Sequence, residues 1–266
     1  MSAFAVLPVL ASCAPKVSAG EWQCPAADGG ADGGPSEPAQ ETDPIRVPWS
    51  TGFEDGFCDY LKVAGTCYGD APYIVVTEPR HSGKFSAKMA AIGSLPGSLP
   101  QTRCIRRGEL PESAYYSAWY YIPEPLTKVK SAWNLWHFAG GDSPDDALAS
   151  LWDVTLVRGV QDGEWELVVY DIAGGGGTYR GPDHKPVPIG SWFKIVLFLK
   201  RAPDASGEIR LYQDDSLLFE QTKLKSDFSK YGQWYVGDWT GDDAEPEDSY
   251  LYVDDVSISA SLSATQ

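Results

Sequence analysis

Trp192-Phe193-Lys194-Ile195-Val196-Leu197-Phe198-Leu199-Lys200 is the stretch that decides how this chain folds. Phe193, Ile195, Leu197 and Leu199 form an unbroken apolar set at every second position, and both lysines fall in the other set. A period of two sends alternate side chains to opposite faces of a strand, so one face is built for a core. The same signature runs outward in both directions. Upstream it recurs at 73–77, 84–92, 101–107, 114–122, 133–138, 151–157 and 165–171; downstream at 208–213, 216–222, 233–239 and 250–259. Clusters of Gly, Pro, Asp and Ser separate these runs, which is strand-and-turn punctuation. About a dozen strands with no segment of helical period predict an all-β fold, a two-sheet antiparallel jelly-roll sandwich. Strand order stays open. The glycine run at 173–178 reads as a rim loop, because no helix follows it to meet a phosphate.

The strand pattern occupies 49–260 of the 266 residues, one large sandwich, with 261–266 as a tail. Residues 1–12 are an apolar run too short to span a bilayer. It ends in Leu10-Ala11-Ser12-Cys13, which resembles the lipobox of bacterial lipoproteins and implies lipidation at Cys13. No Lys or Arg precedes that run, so the expected start of the leader lies further upstream. Residues 14–48 are rich in Ala, Gly, Pro, Asp and Glu without apolar periodicity, and read as a disordered tether. The expected location is therefore the bacterial cell envelope, as an outer-membrane lipoprotein, or secretion. The membrane is touched only through the lipid, and the domain is a monomer.

The net charge of −16 sets long-range repulsion against nucleic acid and anionic head groups. Of the five cysteines, Cys24, Cys58, Cys67 and Cys104 remain after Cys13, an even number that suits disulfides in an exported chain. Cys58 and Cys67 flank a hairpin-like stretch and are the first expectation for a pair. Cys24 then pairs with Cys104 or stays free. The 10 Trp, 14 Tyr and 9 Phe argue for a heavily packed core or for exposed stacking surfaces.

Three segments together carry a family resemblance. Gly52-Phe53-Glu54-Asp55-Gly56 opens the domain, Leu251-Tyr252-Val253-Asp254-Asp255-Val256-Ser257-Ile258 closes it, and His81-Ser82-Gly83-Lys84-Phe85-Ser86-Ala87 makes a turn and strand between them. This framing resembles the concanavalin-A-like jelly rolls, in particular the polysaccharide lyases related to heparin, glucuronan and alginate lyases. The resemblance implies a polysaccharide partner and a groove lined by Gln101, Arg103 and Arg107 from one strand and Trp136 and His137 from another. It also implies a structural calcium, held by Glu54 with Asp254 or Asp255, since calcium prefers oxygen ligands.

Lyase chemistry needs a group to neutralise the uronate carboxylate, a base for the C5 proton and an acid for the leaving oxygen. His137 is the candidate base, Arg103 and Arg107 the neutralisers, and Tyr115 or Tyr121 the acid. Leu135 stands where the family has Gln, and Trp239 where it has Tyr, with Asn134, Trp136, Trp239 and Gln101 left to bind sugar. Strict alternation puts Asn134 on the strand face opposite His137. His81 reads as structural, His184 as part of an exposed loop, and the acidic 242–248 segment as a solvated loop. No Glu-x-Asp-x-x-Glu strand is present, which favours elimination over hydrolysis. The leading expectation is a polysaccharide-binding domain on a lyase-like scaffold. Its alternatives are an active lyase and an envelope or matrix adhesion protein.

Overall fold

In a computed structural model, residues 17–18, 24, 44–63, 65–69, 73–91, 101–123, 133–143, 148–161, 163–175, 177–226, 229–240 and 249–262 are described. The Cys13 site and the 242–248 segment lie outside these residues, as does most of the stretch read as a tether.

Two antiparallel sheets face each other. One contains β1 (Val17–Ser18), β2 (Trp49–Thr51), β4 (Tyr73–Val76), β5 (Ser86–Ala91), β7 (Ser113–Tyr121), β12 (Trp192–Lys200), β13 (Gly207–Gln213), β14 (Ser216–Leu224) and β16 (Ser249–Ser259). Its order is β1-β4-β5-β16-β7-β12-β13-β14, with β2 also paired to β16. The other holds β3 (Thr66–Gly69), β6 (Gln101–Gly108), β8 (Trp133–Gly141), β9 (Ala149–Arg158), β10 (Trp165–Asp171), β11 (Gly177–Tyr179) and β15 (Tyr231–Thr240), in the order β11-β10-β9-β8-β15-β6-β3. The fold is the all-β jelly-roll sandwich expected from the period-two runs. A single helical turn, α1 (Cys58–Leu61), precedes β3.

The inner faces of the two sheets make the core. Phe193, Ile195, Leu197 and Leu199 of β12 are all buried there, as their alternation requires. Trp234 packs at 5.0 Å from Tyr116 and 5.3 Å from Trp136, joining rings from both sheets. Each such fully buried large side chain contributes on the order of 1.5–3 kcal/mol. Arg106 also points inward; its guanidinium donates to the carbonyl of Val63 and lies over Trp49. Burial pulls its pKa down to about 10.

The cysteine pairing differs from expectation. Cys24 bonds to Cys58, and Cys67 to Cys104. The chain between Cys58 and Cys67 contains α1 rather than a hairpin, while β3 lies against β6 with Cys67 directly opposite Cys104. Parts of the 14–48 segment are held as well. β1 pairs with β4, Cys24 is stapled to α1, and Ile45 is buried with its N–H on the carbonyl of Glu109.

Candidate functional site

The outward face of the β3–β11 sheet carries the polar cluster. Register alone aligns Ile105 on β6, Tyr235 on β15, His137 on β8, Asp153 on β9 and Tyr170 on β10 into one cross-strand row. Arg103 lies beside Gly237 to one side of this row, and Arg107 beside Gln233 to the other. Tyr235, Asn134, Thr155, Ile105 and Val168 are nearly sealed from solvent although they face away from the inter-sheet core. They form the floor of a groove.

A β-bulge sets the chemistry of that floor. Against β9, Asn134 pairs with Thr155 and Trp136 with Val154, so Leu135 is the extra residue. Thr155 and Asp153 share a face, and their partners Asn134 and His137 therefore share it too. The strict alternation read from the sequence is broken here, and Asn134 joins His137 in the groove instead of opposing it. Leu135 and Trp136 both turn into the core, where each is fully buried. The bulge carbonyl has its own partner, because the Tyr120 hydroxyl of the opposite sheet donates to Leu135 O at 3.0 Å.

Within the cluster, His137 Nδ1 and Asp153 Oδ1 are 2.5 Å apart. An ionised Asp153 accepts from Nδ1–H and leaves Nε2 as the basic nitrogen. The Tyr235 hydroxyl donates to Asn134 Oδ1 at 3.0 Å, which turns the amide N–H donors of Asn134 away from Tyr235. The His137 ring stacks on Tyr235 with centroids 5.2 Å apart, and the Arg103 guanidinium lies 4.7 Å from the centre of the same ring. Burial pushes the Tyr235 phenol above its ordinary pKa, Arg103 opposes that, and Asp153 adds to it. The phenol is a proton holder.

The structure thus gathers His137, Arg103, Arg107 and Asn134 on one face. Gln101 sits at the end of the same strand as Arg103, level with the backbone of Trp239, which is also level with Asn134. Three expectations fail. Tyr115 and Tyr121 belong to β7 in the other sheet, where they pack on Phe198 and on Trp192 and Tyr252, so neither reaches His137. Trp136 is turned inward by the bulge and has no surface to offer a sugar. Tyr235, Asp153 and Gln233 were not anticipated. Tyr235 had a signal, since alternation along 233–239 groups Gln233, Tyr235 and Gly237.

Glu54, Asp254 and Asp255 meet at the 81–85 turn, the two aspartates on β16 of the other sheet. Glu54 Oε1 accepts from the N–H of Lys84 at 2.8 Å and Asp254 Oδ2 from those of His81 and Ser82. Asp255 takes His81 Nδ1 at 2.6 Å and the Ser82 hydroxyl at 2.9 Å. Gly83, at φ +57°, leaves room for Glu54; a Cβ there would fall 2.0 Å from Oε1. Among the described residues no group of three or more His, Cys, Asp or Glu is placed to hold a metal ion. His184 does lie at an exposed position, as expected, with Nδ1 3.4 Å from the buried Glu166 carboxylate.

A sheet face with a His–Asp pair, an amide and guanidinium groups side by side can take a proton and hold an anion. The model of the polysaccharide lyase family matches residues 62–257, and the chain belongs to that family. Among solved structures, the endo-β-1,4-glucuronan lyase of the fungus Trichoderma reesei is similar over 74% of this chain and 87% of its own, at 16% identity and TM-score 0.55. A marine PL-14 alginate lyase from Aplysia kurodai is similar over 80% of this chain and 99% of its own, at 13% identity and TM-score 0.57. At these identities the likeness concerns the fold. No curated protein matches.

Proposed function

We propose that this protein is an active polysaccharide lyase that cleaves a uronate-containing glycan by β-elimination. One observation carries the reading: His137, Asn134 and Arg103 converge around the Tyr235 ring on the groove face, with Asp153 behind the histidine. The Asn134 amide and the Arg103 guanidinium neutralise the uronate carboxylate, which makes the C5 proton acidic. His137 Nε2 takes that proton as the C4–O bond breaks and a C4=C5 double bond forms. Asp153 stabilises the resulting imidazolium, which can hand its proton to the departing glycosidic oxygen. Tyr235 acts through Asn134 rather than on the sugar, since its own hydroxyl is spent on that amide. Arg103 and Arg107, both on β6, concentrate positive charge toward one end of the groove in a chain of net charge −16, which suits a polyanionic substrate.

The test is a panel of alginate, glucuronan and heparin polymers, read for new absorbance from unsaturated uronate ends and for retention on immobilised polymer. Absorbance that falls by about 10²-fold or more in His137→Ala supports the lyase. Retention without absorbance returns the protein to a binding domain, and neither signal favours an adhesion role. We also propose that the domain works outside the bacterial cytoplasm on a lipid anchor at Cys13; its two disulfides fit an oxidising compartment.

A further inference from the structure

Two tyrosines on the groove face take no part in the chemistry proposed above. Tyr68 on β3 is paired with Arg103 and keeps 37% of its surface exposed. Tyr170 on β10 is paired with Asp153, and so lies in the row that contains His137; it is half-buried. Paired residues share a sheet face, so both rings belong to the groove. Unlike Tyr179, which stacks on Phe219 over the core, neither ring packs on another aromatic ring among the described residues.

Their placement brackets the candidate base. Tyr170 stands two strands to one side of His137, and Tyr68 stands three strands to the other. At about 4.8 Å per strand these are offsets of about 10 Å and about 14 Å. A glycan laid across the strands would meet one ring on each side of the scissile bond, separated by several sugar units. An aromatic face meets the apolar C–H face of a pyranose, and the flanking polar groups then bind what the ring presents.

On the strength of the lyase reading, we infer that Tyr68 and Tyr170 are sugar-stacking subsites at the two ends of the groove. They make it a site for the interior of a polyuronate chain rather than for a short end. The rings act by surface and not through their hydroxyls.

The experiment compares trimers and octamers of mannuronate and of glucuronate as substrates, with affinity electrophoresis in gels that contain the parent polymers. For Tyr68→Ala and Tyr170→Ala the octamer-to-trimer ratio of kcat/KM should fall about ten-fold, a typical stacking contribution, and gel retardation should weaken with it. Tyr68→Phe and Tyr170→Phe keep the ring and should keep both the ratio and the retardation. Wild-type turnover with an unchanged ratio in both alanine variants overturns the subsites and leaves the lyase standing. Retardation without turnover, lost in the alanine variants, keeps the subsites and removes the lyase. If the wild type is neither retarded nor active on these polymers, both fall together.

Discussion

Tyr120→Phe removes one oxygen from the opposite sheet and should be felt in the groove. The Tyr120 hydroxyl is the donor to the carbonyl of Leu135, the extra residue of the β8 bulge, and both residues are fully buried. Water cannot replace the lost donor, so the carbonyl is left unpaired in a dry interior, at a cost of about 1–3 kcal/mol. For a domain of this size each kcal/mol lowers Tm by roughly 2–4 °C, which predicts a drop of about 2–12 °C. The bulge is also what carries Asn134 to the face of His137. Loosening it should lower kcat on the preferred polyuronate, although the ring lies on the far side of the core. Thermal melting and initial rates at fixed pH measure the two effects. A variant as stable and as active as the wild type would refute the claim that this hydrogen bond holds the bulge.

Other changes separate the roles in the groove and elsewhere. Asp153→Asn should lower kcat by on the order of 10²-fold with KM and Tm close to wild type, because the tautomer of His137 is no longer fixed; an unchanged kcat would remove Asp153 from the mechanism. Tyr235→Phe leaves the amide oxygen of Asn134 buried without its donor, and should cost about 1–3 kcal/mol in a urea melt, most of it recovered in a double variant with Asn134→Leu. Additive losses in that cycle would show the pair is not coupled. Burial first, and then the charge of Asp255, pushes the Asp254 carboxyl up to about 6 against the N–H bonds it accepts. A raised folded-state pKa means more bound protons in the native state, so this group's contribution is full below pH ~4 and is lost as pH rises through about 6. Stability measured in chelator should therefore decline over that window relative to Asp254→Asn; calcium that abolishes the decline would place a cation on these carboxylates. If Cys13 is lipidated, Cys13→Ser should move the protein from the membrane fraction to the soluble exported fraction, and unchanged fractionation would sink the anchor.

The strands were legible because burial of one sheet face leaves a period-two record. Trp165–Asp171 and Trp192–Lys200 match their predicted bounds. Short elements such as β3 and β11 left no such record, since three or four residues cannot display a period. His137, Arg103 and Arg107 came from the family resemblance, which the register bears out to the extent of placing all three on one sheet face. Asn134 was misplaced because a bulge shifts parity without changing composition. Tyr115 and Tyr121 could serve as the acid only if their strand lay beside that of His137, but β7 and β8 belong to different sheets. Asp153 and Tyr235 become functional only through partners on other strands, and cross-strand register is not written in any single run. The same gap explains the cysteines: Cys67 meets Cys104 through the β3–β6 pairing, which local spacing does not encode.

β16 is the last strand among the described residues, yet it sits inside its sheet, bonded to β5 and β2 on one side and β7 on the other. While the polypeptide is being made, β5 and β7 each present an unpaired edge for the whole time it takes to deliver residues 249–259. The sandwich closes only when residues 249–259 arrive and slot into that gap. A chain stopped before residue 249 keeps two open edges, the usual starting points for aggregation. Loss of β16 should thus be read out as insolubility rather than as partial function.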